Sequence, residues 1–99
     1  MDINVYSVKF DADVKLVDFI KSKVGKLFQF NDDIIAAEVF LRLDNTQDME
    51  NKIAEIILDV PGTKLFSKKQ SKTFEEATDL AVDAMKTQVK KKKEKLRNI

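Results

Sequence analysis

Cysteine and histidine are both absent from this 99-residue chain. Without them the usual nucleophile–base pairs cannot be built, nor can most transition-metal sites. No disulfide framework is possible, which fits a reducing compartment. Glycine occurs only at Gly25 and Gly62, too few for a glycine-rich loop that cradles phosphates. No apolar run approaches the ~18 residues needed to span a bilayer. The opening residues, MDINVYSVKF, lack the basic n-region and apolar core of a signal peptide. Carboxylates remain, as in NDD and FEEATD, but helix capping and solvated surface account for them. These absences predict a protein that is not an enzyme, with no cofactor, no metal and no small-molecule substrate. They fit a soluble cytoplasmic domain spanning residues 1–99.

What the chain does have is an uneven distribution of charge. It is 43% hydrophobic, enough for one modest core, and 35% charged, with a net charge of only +1. Residues 86–97, however, hold seven cations and one anion, Glu94, a local charge of +6. The rest of the chain therefore carries −5, and the molecule is dipolar: an acidic body with a basic end. Such asymmetry suggests a polyanionic partner, either nucleic acid or an anionic membrane surface.

The hydrophobic pattern predicts six elements. Residues 2–8 alternate as a strand, with Ile3 and Val5 on one face and Asn4 and Tyr6 on the other. Leu16, Val17, Ile20, Val24, Leu27 and Phe28 recur at helical spacing, with Asp13 as N-cap. Gly25 falls inside that helix, where a close contact with the sheet is the expected reason for it. Residues 34–43 and 52–60 alternate as strands. In the first, Ala37, Val39, Leu41 and Leu43 point inward; in the second, Ala54, Ile56, Leu58 and Val60 point inward while Ile53, Glu55, Ile57 and Asp59 point outward. A polar loop separates the two. Pro61-Gly62 is a tight turn into a lysine-rich strand over residues 63–71, a composition that suits an edge. Thr73 and Glu76 form the capping box of a last helix that nothing interrupts before its basic end. Phe74, Ala77, Ala81, Ala84, Met85, Gln88 and Val89 mark its inward stripe.

The expected fold is therefore α+β: β-α-β-β-β-α, a four-stranded mixed sheet with two helices on one face. The β-α-β start suits a parallel pair with a right-handed crossover. The opposite face of the sheet is left open, and Phe40, Ile57 and Phe66 point there. The acidic first half and basic second half of the last helix both suit its macrodipole. Two or three lysines would satisfy the dipole. The chain instead places Lys86 beside Lys90 and Lys91 beside Lys95 at i, i+4, where like charges cost a few tenths of a kcal/mol each. A helix face that accepts this repulsion is expected to bind anions.

In its stretches INVYSVKFDADVKLVDFIKSKVGKL, IIAAEVFLRL, VPG and FEEATDLAVDAMKTQVKKKKEKLR, the chain resembles the ribosome hibernation promoting factor family, also called ribosome-associated inhibitor or sigma-54 modulation proteins. The resemblance covers essentially the whole chain, in the family's short form. It implies a fold like that of double-stranded-RNA-binding domains. It also implies a ribosome-binding domain that occupies the mRNA and tRNA channel of the small ribosomal subunit, contacts 16S rRNA and silences translation in stationary or starved cells. The basic residues that match the family's RNA contacts are Lys23 and Lys26 on the first helix and Lys91, Lys93, Lys95 and Arg97 on the last. Lys86 and Lys90 join them as candidate rRNA-binding residues. Thr87 stands before Gln88 where the family often has Arg, and Glu75 replaces a common Tyr. The short form implies that no C-terminal dimerisation domain is present, so that pairing of ribosomes would need another factor. Two other readings belong to different classes: a generic structured-RNA-binding module, and a protein-interaction module that uses the open sheet face. Membrane binding fits poorly, because the apolar stripe of the last helix is mostly Ala.

Overall fold

The computed structural model describes residues 2–45 and 49–97, with side chains described as far as Lys92. Its elements are β1 (Asp2–Ser7), α1 (Val14–Gly25), α2 (Leu27–Phe30), β2 (Ala36–Leu43), β3 (Lys52–Val60), β4 (Thr63–Ser71) and α3 (Phe74–Arg97). The sheet order is β1-β2-β3-β4, with β1 parallel to β2 and the other neighbours antiparallel. This is the α+β class and element order that the alternation predicts, with one short helix added.

Local chemistry sets the boundaries. The Asp13 carboxylate accepts from the Leu16 N–H at 2.8 Å and so caps α1. The Thr73 hydroxyl accepts from the Glu76 N–H at 3.0 Å, which supplies the hydroxyl half of the capping box on α3. Gly62 has φ 84, and with Pro61 ahead of it makes the Pro-Gly pair that a type II turn between β3 and β4 needs.

Gly25 departs from expectation. It closes α1 rather than sitting in the helix interior, and a Cβ there would meet only Ile3 Cδ1, at an ordinary 3.8 Å. Sheet packing therefore does not demand glycine. The chain tightens instead, with the Lys26 N–H donating to Lys23 O at 3.3 Å, and restarts as α2. That break leaves Phe30, which is not in the stripe expected for the first helix, at the exposed end of α2.

The core lies between the helices and one face of the sheet. Ile20, Val24 and Leu27 pack with Ala37, Val39, Leu41, Ala54, Ile56, Leu58 and Val60, and with Phe74, Ala77, Ala81, Met85 and Val89. α3 also buries Thr78 and Val82, which widens the expected stripe, while Leu43 at the end of β2 is 47% exposed. Ser67 on β4 is buried, and its hydroxyl donates to Ala81 O at 2.9 Å, tying α3 to the edge strand.

The other sheet face is not covered by any described element. Tyr6 and Phe40 stack on it with ring centroids 5.1 Å apart, and Phe66 lies across from Ile57 with half its surface exposed. Ile53 shares this face yet is only 9% exposed. Its cross-strand neighbour Gln70 bonds Asp44 Oδ2 and Glu50 O, drawing the β2–β3 loop ends over it.

Candidate nucleic-acid interface

Four of the eight lysines and arginines singled out by sequence come together between the C-terminal end of α1 and the middle of α3. Lys23 and Lys26 descend from the α1 end, and Lys86 rises from α3. With Asp79, Val82 and Asp83 they line a cleft of about 260 Å³. Lys90 stands one turn beyond Lys86. The Lys86 and Lys90 ammonium groups lie 5.7 and 5.8 Å from the centroid of one ring, Phe30 on α2. That ring has a negative face, so it attracts both cations and offsets the repulsion that their spacing creates. The break after Gly25 is what positions Phe30 for this role.

Two carboxylates enter the same cleft. Lys23 pairs with Asp79 at 3.2 Å, and its ammonium also sits 5.5 Å from the Phe19 ring centroid. Lys86 pairs with Asp83 at 3.8 Å, one turn back on α3. Among the described side chains Lys26 and Lys90 have no carboxylate partner. All four lysines remain at least partly exposed. Exposed ion pairs of this kind are worth roughly 0–1 kcal/mol, so a phosphate can displace the carboxylates at small cost.

Lys91 is placed differently. One residue along a helix turns the side chain by about 100°, so Lys90 and Lys91 diverge. Lys91 lines a second, mostly apolar groove of about 410 Å³ with Thr63, Leu65, Gln88 and Lys92, on the β4 side of α3. Lys92 donates to Pro61 O at 3.0 Å in the β3–β4 turn. Within the described side chains, Lys90 and the pair Lys91 and Lys92 therefore fall on two flanks of α3. Lys93, Lys95 and Arg97 lie on the helical backbone of α3, but their side chains fall outside the described residues.

Sequence reasoning missed Phe30, Phe19, Asp79 and Asp83. A signal for Phe30 existed, since LFQF begins two residues after Gly25; the pairing of α1 with the α3 carboxylates had none, being purely tertiary. Among the described residues no group of three or more carboxylates is gathered for a metal ion. No described helix is long and apolar enough to cross a membrane.

The family model for sigma 54 modulation protein / S30EA ribosomal protein matches residues 3–97. The ribosome hibernation promotion factor of Bacillus subtilis (strain 168) is 27% identical over 96 residues. The match covers 97% of this chain and 50% of that protein, so the chain spans about half the length of this relative. The crystal structure of the Thermus thermophilus Protein Y N-terminal domain superposes with a TM-score of 0.78 at 27% identity, over 92% of this chain and 98% of that one. A ribosomal subunit interface protein from Coxiella burnetii superposes with a TM-score of 0.82 at 19% identity, over 94% and 98% of the two chains, a likeness of fold.

Proposed function

Because the chain belongs to the sigma 54 modulation protein / S30EA ribosomal protein family, we propose that it is a ribosome-associated hibernation factor that docks on rRNA through the lysines between α1 and α3. The observation that carries this reading is the convergence of Lys23, Lys26, Lys86 and Lys90 around one cleft and one aromatic ring.

The chemistry of the cleft suits folded RNA. Lysine is a compact point charge with little base-reading geometry, and arginine is confined to Arg42 and Arg97. Recognition then follows the shape of the phosphate backbone more than sequence. Binding draws its free energy from counterion release. With about four phosphates neutralised, affinity falls about 10²-fold between 50 and 200 mM salt. The acidic remainder of the chain repels RNA approached from other sides and favours arrival with the basic end forward.

The finer placement is the mRNA and tRNA channel of the small ribosomal subunit, against 16S rRNA. Inhibition there is steric: an occupied channel excludes mRNA and tRNA, and no bond is made or broken. The working compartment is then the cytoplasm. The relative from B. subtilis is about twice as long, and its name as a ribosome hibernation promotion factor supports the ribosomal reading over a generic RNA-binding module.

The test is cosedimentation with purified small subunits at physiological salt. Lys26→Glu with Lys90→Glu removes the two cations of this cluster that have no described carboxylate partner, and is expected to weaken association at least tenfold, with Tm lowered only by the few degrees that loss of the Lys90–Phe30 contact implies. Competition with a plain RNA duplex separates the two RNA readings: equal affinity for duplex and subunit would mean a generic module. Unchanged association of the double variant would locate the contact elsewhere.

A further inference from the structure

The two edges of the sheet are β1 and β4, and they are guarded unequally. β4 carries the exposed Lys64, Lys68 and Lys69, with Lys72 just beyond it. Its Phe66 carbonyl is already taken by the Gln88 amide of α3, at 2.6 Å. Edge lysines and an occupied edge backbone both discourage a further strand. β1 has neither device. Its sequence, DINVYS, contains no lysine and no proline, and its register with β2 runs without a bulge.

The direction of the β1 peptide groups follows from one bond. Val8 N–H donates to Leu41 O at 2.9 Å, and Leu41 is the register partner of Ser7. Peptide groups alternate along a strand, so Asn4, Tyr6 and Val8 turn theirs toward β2. Ile3, Val5 and Ser7 turn both N–H and C=O away from the sheet, toward an edge where no described strand lies. The three are half-buried through their side chains, which face the helices, while Asp2, Asn4 and Tyr6 are exposed on the open face.

We propose that β1 pairs with the β1 of a second copy of this chain, antiparallel and centred on Val5, joining two sheets into one of eight strands. Centring on Val5 sets Val5 opposite its own copy and Ile3 opposite Ser7 of the second copy. Each of these pairs exchanges both hydrogen bonds, so all six outward groups are satisfied. On the open face Asn4 falls across from Tyr6 of the second copy, close enough for side-chain contact.

Charge selects the occupant. Asp2 at the start of β1 and Lys9 just past its end are both exposed. An antiparallel pairing brings Asp2 of each copy alongside the Val8–Lys9 stretch of the other, and the attraction occurs twice by symmetry. A β4-to-β4 pairing would set lysines against lysines. A β1-to-β4 pairing would meet the occupied Phe66 carbonyl and would propagate without closure. The pairing of two six-residue strands buries less than the roughly 1,200 Å² of a standard stable interface, so the dimer is weak and forms only at high concentration. The contact is independent of the lysine cleft, which opens toward α3.

The experiment is sedimentation equilibrium of the full chain from 10 µM to 1 mM, with amide resonances followed over the same range. The expected result is dimer at the upper end, with concentration-dependent shifts and slowed exchange at the Ile3, Val5 and Ser7 amides and little change at Asn4 and Tyr6. Asp2→Lys and Lys9→Asp are each expected to weaken dimerisation severalfold by setting like charges together. The double variant is expected to restore it to within about twofold. Lys26→Glu with Lys90→Glu, which tests RNA docking, should leave dimerisation unchanged. A chain still monomeric at 1 mM, shifts centred on β4, or a charge swap that does not restore pairing would each overturn the proposal.

Discussion

Lys90 holds its ammonium group 5.8 Å from the centroid of the Phe30 ring, and Lys86 holds its own 5.7 Å from the same centroid. Two like charges one helical turn apart are thereby organised by a single aromatic surface from a different element. At a half-exposed ring each such contact is worth about 0.5–1 kcal/mol. A double-mutant cycle of Phe30→Leu with Lys90→Gln, read by thermal denaturation, is expected to give a coupling energy in that range. A coupling near zero would leave the ring as packing only.

Gly25 is a position where the chain has kept more freedom than its fold requires. The residue ends α1 with an ordinary negative φ, and an added methyl would touch Ile3 Cδ1 at 3.8 Å without clash. Gly25→Ala therefore removes unfolded-state entropy and fills open space. It is expected to stabilise the protein by about 0.4–1 kcal/mol, measured by urea denaturation. A loss of stability would mean that the turn into α2 tightens against the new side chain.

Thr78 lies fully buried on α3, and its hydroxyl has no hydrogen-bond partner among the described residues. An orphaned buried hydroxyl costs about 1–3 kcal/mol in protein mutational series. Thr78→Val keeps the shape and removes the orphan. The expected gain is about 1 kcal/mol, or about 4–8 °C in Tm for a domain of this size. A lower Tm would indicate that the hydroxyl is satisfied by water held in the interior.

The contrast between these sites and the rest of the fold explains what the sequence could tell. Strand and helix identities were legible because alternation in residues such as Ala37, Val39 and Leu41, and the three-and-four spacing of Ile20, Val24 and Leu27, record burial directly. The caps at Asp13 and Thr73 were legible for the same reason, since they act within one turn. Thr78 was not, because a buried threonine looks like a surface one until its neighbours are known. Lys23, Lys26, Lys86 and Lys90 stood out in the sequence as candidates by their charge, but their grouping depends on how α1 meets α3. Lys90 and Lys91 are adjacent in the chain and diverge in space, and no pattern along the sequence separates them. The carboxylates of Asp79 and Asp83 fitted the helix dipole and gave no sign that they would enter the cleft.

Those two carboxylates oppose the lysines beside them. Asp79 holds Lys23 at 3.2 Å and Asp83 holds Lys86 at 3.8 Å, so two of the three lysines that line the cleft are partly neutralised. Both acids are well exposed, and their pairs contribute little to stability. Each also repels an incoming phosphate. At about 6 Å in a water-like medium one such repulsion amounts to about 0.7 kcal/mol, close to a threefold effect on affinity. Asp79→Asn with Asp83→Asn is therefore expected to raise affinity for the small subunit about tenfold at low salt while changing Tm by no more than a few degrees. The gain should shrink as salt rises, because screening weakens the repulsion that was removed. Affinity titrations at 50 and 200 mM salt read both effects. An affinity that does not respond to the loss of two negative charges at this position would place the RNA somewhere other than the α1–α3 cleft.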